Sequence, residues 1–380
     1  MNFIAWQMLT GDRAKYLGLI FAIAFSTFLM SHQTSIFCGL MNRTRSQIND
    51  VHDAGIWVMD PKTQYLDEVK ALPEQDLYRV RGVDAVEWAV PLFKGTARAK
   101  VHTDGKFRAV VLMGIDDASL VGAPRDMALG TFDSLREPDS IIIDRVGYKF
   151  FFPNEPLQLG KELEINDRIL RISGICNSSA PFVNLPVAYT RYSVALNLVG
   201  RERNLMSFVV AKPRAGLTNE EAARRITEHT GLRALTGSEF GWATIWYYIR
   251  NTGIPINFGI TVAIALIVGT VVSGQTFYLF VLENLKQFGA LKAIGVTNWR
   301  ITGMILMQAF IVGTIGYCLG IAMTATFFEA TKDNLDLRGF YLFPQIMGGV
   351  GLAVMLIVVL ASLISVRRVA VLEPAIVFRG

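Results

Sequence analysis

The chain has 380 residues, of which 52% are hydrophobic and only 18% charged, a composition that falls on the membrane side of the usual classes. Its net charge of +5 comes without zinc-knuckle spacing and without a basic helix interleaved with stacking aromatics, which excludes an ordinary nucleic-acid binder. The cysteines Cys38, Cys176 and Cys318 suggest no disulfide framework, and His32, His52, His102 and His229 are scattered without ligand spacing, so no metal site is expected.

The first apolar segment runs from Tyr16 to Phe37, within a predicted first span over 16–40. At about 1.5 Å per residue it is long enough to cross about 30 Å of hydrocarbon. It ends in His32 and Gln33, with Arg43 and Arg45 beyond, and not in a small-residue cleavage site, so it reads as a retained signal-anchor helix.

Residues 41–255 read as globular sequence. Strand-like runs cover 55–60, 85–93, 107–115, 140–144, 169–175 and 206–211. Pro73 opens a helix over 74–80, and Thr218 with Glu221 forms a capping box for a helix that Gly231 closes. The expectation is an α+β domain in two lobes, followed by an aromatic-rich interfacial helix over 242–250.

Three further spans follow over 256–282, 301–328 and 345–366, giving a membrane α-helical protein with one span, a large domain, then three spans. The basic residues Arg13, Lys15, Lys286, Lys292, Arg300, Arg367, Arg368 and Arg379 lie on one side of these spans. In the short loop 329–344, Lys332 and Arg338 are balanced by Glu329, Asp333 and Asp336. The positive-inside rule therefore places both termini and 283–300 in the cytoplasm and the large domain outside it. Apart from His32 the spans hold almost no ionisable group, which argues against a proton- or ion-coupled carrier. Gly313, Gly316 and Gly320 in the third span allow close helix approach, either within the chain or between two copies.

The segment 283–300 is the sharpest local feature. Leu285, Phe288, Leu291 and Ile294 recur at helical spacing, with Glu283, Lys286 and Lys292 on the other faces. Such a helix either lies flat on the membrane or docks into a partner's groove. Its sequence, E-N-L-K-Q-F-G-A-L-K-A-I-G from 283 to 295, resembles the cytoplasmic signature of MacB/FtsX-type permeases. Glu283, Gln287, Phe288, Gly289, Leu291, Lys292, Ala293, Ile294 and Gly295 stand at the matching positions, with Gln287 where the family often has an acidic residue. The longer string 276–295 is similar to the DevC branch. Residues 2–30 resemble the family's amphipathic elbow helix, expected over 1–15, leading into the first span. The tail 367–380 resembles the family's ending through Arg367, Arg368, Leu372, Pro374, Phe378 and Arg379.

The resemblance implies a homodimeric permease of the bacterial inner membrane, carrying two cytoplasmic ATPase subunits that bind ATP and Mg themselves. In that setting 283–295 is the coupling helix, with Phe288 and Leu291 as apolar anchors and Glu283, Lys286 and Lys292 as orienting charges. No G-x-x-x-x-G-K-[ST] occurs; the nearest fragment, Gly160-Lys161, has Glu155 where the first glycine belongs. Nothing resembling a nucleophile elbow or H-E-x-x-H points to an enzyme either. The expected function is mechanotransmission, with ATPase motion driving the periplasmic domain to export a lipid-like or other amphiphilic substrate. A DevC-type permease would also engage a periplasmic membrane-fusion protein and an outer-membrane channel. The alternative is an FtsX-like regulator of a periplasmic hydrolase that transports nothing.

Overall fold

The computed structural model describes residues 6–8, 11, 13–101, 105–199, 206–332, 334 and 337–370, with side chains up to 362. Most of the tail, including Leu372, Pro374, Phe378 and Arg379, and the elbow residues 1–5, 9, 10 and 12 lie outside the described residues, as do His102, Asp333 and Asp336. The chain divides into two compact units: a helical one of residues 1–39, 253–332 and 340–380, and a second one of residues 40–252 and 333–339.

Four long helices make the helical unit: α1 (Arg13–Thr44, whose last turn enters the second unit), α8 (Ile254–Glu283), α10 (Asn298–Thr331) and α11 (Pro344–Ala370). All four are long and apolar enough to cross a membrane, and each runs past the predicted span at one end or both. The unit is built the way lipid demands. Ile260, Ile264, Ile267 and Val271 of α8 face outward, while Thr27, Ser31, Ser273, Gln308 and Thr324 are buried. Three of these hydroxyls find partners inside: Thr27 donates to the Ile23 carbonyl at 2.7 Å, and the Ser31 hydroxyl meets that of Thr324 at 2.6 Å across α1 and α10.

Glycine sets how closely these helices approach. A Cβ on Gly320 would stand 2.5 Å from the Ala24 carbonyl oxygen and one on Gly316 2.8 Å from Ile23 Cβ, both on α1, while one on Gly313 would stand 2.5 Å from Val358 of α11. The predicted glycine stripe of the third span thus packs against helices of its own chain, the small-residue solution to association without a hydrophobic driving force.

The second unit is a mixed α/β domain. In chain order it contains α2 (Ser46–Asn49), β1 (Ile56–Met59), α3 (Glu74–Arg81), β2 (Val86–Lys100), β3 (Arg108–Ile115), β4 (Met127–Leu129), β5 (Ser140–Asp144), α4 (Arg145–Phe151), β6 (Glu162–Ile165), β7 (Arg168–Cys176), β8 (Val187–Arg191), α5 (Tyr192–Leu198), β9 (Phe208–Pro213), α6 (Asn219–Thr230), β10 (Arg233–Thr236) and α7 (Gly237–Asn251). The strand order is β10-β1-β9-β2-β3-β8-β5-β7-β4, with β6 pairing β2 and β7. Most neighbours are antiparallel, but β3–β8 and β5–β7 run parallel.

Strand β2, 15 residues long, joins two groups of strands. Its first half, Val86–Leu92, pairs with β9, and its second half, Phe93–Ala99, pairs with β3. Around the first group Trp57, Phe208 and Phe240 pack with ring centroids 5.4–5.8 Å apart, the offset and edge geometry that aromatic quadrupoles favour. A separate apolar cluster around Ile141, Ile143, Tyr148 and Leu163 serves the second. Helix α6 starts at the capping box of Thr218 and Glu221 and stops at Gly231, which adopts φ +70°. A second capping box, Thr236 with Glu239, opens α7.

The loop between α10 and α11 contributes Arg338 to this domain. Arg338 is 5% exposed; its guanidinium pairs with the buried Asp144 and donates to the Leu185 carbonyl at 3.0 Å. Burial pushes the Asp144 carboxyl up from its ordinary range, and the guanidinium beside it works against that shift. Arg43, also buried, donates to the Arg338 carbonyl and, at 2.6 Å, to Asn184 Oδ1.

Candidate functional site

Helix α8 does not end in a free loop. At Asn284 the backbone turns to φ −90°, ψ 7° and the regular ladder is interrupted, but Asn284 ties the two sides together: its N–H and its Nδ2 donate to the Phe280 carbonyl at 3.3 and 2.8 Å, and its carbonyl accepts from the Phe288 N–H at 3.0 Å. The next helix, α9 (Leu285–Ala293), is therefore a hydrogen-bonded extension of the second span.

Its far end is closed by glycine. Gly295 sits at φ +97°, its N–H donates to the Lys292 carbonyl at 2.9 Å, and the Val296 N–H donates to the Leu291 carbonyl at 3.0 Å. These two bonds, with Val296 folding back beside Leu291, make a Schellman cap. The left-handed conformation is one that a side chain resists, so glycine at 295 is a geometric requirement. The chain then enters α10 at Asn298.

The inward face of this segment is apolar. Phe288 is 0% exposed and belongs to the core of the helical unit with Phe280, Val281 and Ile301; Leu285, Leu291 and Val296 pack against that core. Full burial of a phenylalanine contributes about 1.5–3 kcal/mol, enough to fix the rotation of a helix this short. The outward face is formed by Glu283, Lys286, Gln287, Ala290, Ala293 and Ile294, which recur at helical spacing. Ile294 is 82% exposed and Trp299, just beyond the cap, 84%.

The predicted residues thus divide. Lys286, Gln287, Ile294 and Gly295 stand on the open surface, Gly289 is buried, and Leu291 and Lys292 are half-buried. Phe288 points into the helical unit and not outward as an anchor would, because the apolar stripe of α9 already has a core of its own chain to fill. Ile294, expected on that same stripe, is turned out because the helix stops at Ala293 and Val296 takes the inward position. Glu283 is not left as an unpaired orienting charge: Lys15, at the start of α1, donates to its carboxylate. Sequence reasoning missed Val296 and Trp299. The signal for Val296 was present in Ala293-Ile294-Gly295-Val296, a glycine just past a helix end followed by an apolar residue.

Among the described residues no group of three His, Cys, Asp or Glu side chains is placed to hold a metal ion. The segment is a short helix packed on one side against the core of the helical unit, with a mixed charged and apolar face exposed on the other.

The family model of the MacB-like periplasmic core domain matches residues 17–229, and that of the FtsX-like permease C-terminal region matches residues 259–374. An uncharacterized ABC transporter permease of Mycobacterium tuberculosis (strain ATCC 25618 / H37Rv) is 26% identical over 226 residues, so the chain spans 58% of the length of that relative and the match covers 58% of this chain. A second uncharacterized ABC transporter permease of the same strain is 23% identical over 370 residues, 93% of this chain and 94% of the relative. The macrolide export ATP-binding/permease protein MacB of Psychrobacter arcticus is 24% identical over 281 residues, 70% of this chain and 41% of that protein. With one model covering more than half of its length and the other covering the spans that follow, the chain belongs to the MacB/FtsX-type family of ABC transporter permeases.

Proposed function

We propose that this chain is the membrane subunit of an ABC transporter of the DevC branch and works by mechanotransmission. A separate cytoplasmic ATPase, which binds and hydrolyses ATP with Mg, docks on the outward face of α9. Two copies of the chain form the permease. ATPase motion passes through α9 into α8 and α10 and on to the periplasmic domain, exporting a lipid-like or other amphiphilic substrate with the help of a membrane-fusion protein and an outer-membrane channel. The charge distribution supports an inner-membrane orientation with both termini and α9 in the cytoplasm.

One observation carries this reading. Helix α9 is tied to α8 through the hydrogen bonds of Asn284 and is closed toward α10 by a Schellman cap, so a rigid-body displacement of anything bound to its outward face becomes a displacement of two spans. The relative named as an ATP-binding/permease protein, of which this chain matches 41%, supports an ATP-binding part carried elsewhere.

The test places charge on the outward face. Ala290→Glu with Ile294→Glu, in the full chain co-expressed with its ATPase, is expected to weaken co-purification of the ATPase by at least about 30-fold, the scale of a lost hot spot. Membrane insertion and yield should be unchanged, because both side chains are exposed. Wild-type co-purification in the double variant would overturn the docking surface.

A further inference from the structure

The second unit contains an open cleft of about 550 Å³, within the range that holds a small organic ligand. Its walls come from β2, from the segment after β1 and from the segment before β8. One wall is aromatic: the Tyr65 ring stacks on Tyr247 with centroids 4.0 Å apart, and Phe182 packs on Tyr248 at 4.4 Å. Val183 also lines it and is 56% exposed, which puts it at the mouth.

Two polar side chains inside distinguish this cavity from a greasy cleft. Gln47, on α2, is 3% exposed, and its Nε2 has no hydrogen-bond partner. A buried amide donor left unmade is costly, and natural structures rarely keep one without a reason. Lys94, 8% exposed, spends one of its three N–H donors on Asp67 Oδ1 at 2.5 Å, and the Tyr248 hydroxyl donates to the other Asp67 oxygen at 3.1 Å. The carboxylate is thereby neutralised and occupied, whereas donors remain. The Gln47 amide N–H is a donor still in want of an acceptor. The cavity does not lack a counter-ion, and a charged ligand head would bring in a charge with no partner.

We propose that this cavity binds an uncharged amphiphile whose apolar body lies on the aromatic wall and whose carbonyl oxygen accepts from Gln47 Nε2, with Lys94 as the neighbouring donor. The proposal does not rest on ATPase coupling, since it concerns binding by the outer domain alone. The geometry admits esters, amides and ketones alike, because all present the same oxygen.

The experiment titrates prodan, an uncharged ketone-bearing naphthalene dye, into the full chain in lipid nanodiscs, with empty nanodiscs subtracted. One saturable, blue-shifted site per chain is expected. Gln47→Leu should weaken it about five- to tenfold, the effect of a lost buried hydrogen bond. Val183→Trp should close the mouth and remove the saturable component, and because Val183 is exposed its thermal unfolding should match wild type. If Gln47→Leu folds poorly, Val183→Trp decides alone. Absence of a saturable component in the wild type, or wild-type affinity in Val183→Trp, would overturn the site.

Discussion

The two units solve the packing problem in opposite senses. In the helical unit the large aliphatic side chains of α8 look outward, and the interior combines an apolar core, with Phe277, Phe280 and Ile305 in it, with Gly313, Gly316 and Gly320 where the backbones come closest. In the outer domain the interior is aromatic and aliphatic, with Trp57, Phe208 and Phe240 at one centre, and the buried charges Asp144 and Arg338 are paired with each other. The difference follows from the solvent. Lipid gives no reward for hiding a leucine, so close backbone approach must bind the helices; water does give that reward, and burial dominates. Removing bulk should therefore injure the domain, and adding it should injure the helices.

Arg338→Met tests the outer domain most severely. It leaves Asp144 buried without its counter-charge, and the expected loss is about 3–5 kcal/mol of stability, read as a lowered unfolding temperature of the full chain. The loss should depend on pH. The Asp144 carboxyl is already raised by burial, and in the variant only the N–H groups of Val187 and Gly147 still oppose that rise. The folded state then takes up its proton at higher pH than the unfolded chain, so the penalty is full above the folded pKa and shrinks as pH falls through it toward the ordinary carboxylate range. A pH-independent penalty would mean that Arg338 acts by packing alone.

Gly320→Leu makes the converse test. The added side chain has to displace the α1 backbone at Ala24, and overpacking on this scale costs about 1–3 kcal/mol. If instead its unfolding curve matches wild type, the close approach of α1 and α10 is wrong. The smallest effect is expected from Glu283→Gln, which breaks the ion pair with Lys15. Both partners are partly exposed, so the change in stability should stay below about 1 kcal/mol. A large loss of ATPase co-purification in this variant would show that Glu283 faces the partner and not Lys15.

Where local chemistry decides structure, the sequence was legible. Thr218, Glu221 and Gly231 bracket α6 as their hydrogen-bonding roles require, and the four apolar segments reappear as the four long helices. Strands β4, β6, β8 and β10 went unread, since runs of three to five residues such as Arg233–Thr236 carry too little alternation and exist because longer neighbours pair with them. The amphipathic character of 283–295 was visible as well. Its orientation was not: periodicity states that one face is apolar without saying whether that face fills a core or waits for a partner, and only the packing around Phe288 separates the two.

The length of β2 has a consequence for any motion of the outer domain. A hinge between the two groups of strands would have to fall near Leu92 and Phe93, in the middle of a strand whose backbone is bonded on one side to β9 and on the other to β3. The two ladders meet there without overlapping, so a bend between Leu92 and Phe93 would turn one group of strands against the other with the ladder of each left whole. The backbone of β2 is thus the strand through which a push on one group of strands reaches the other, as a shaft carries torque between two wheels.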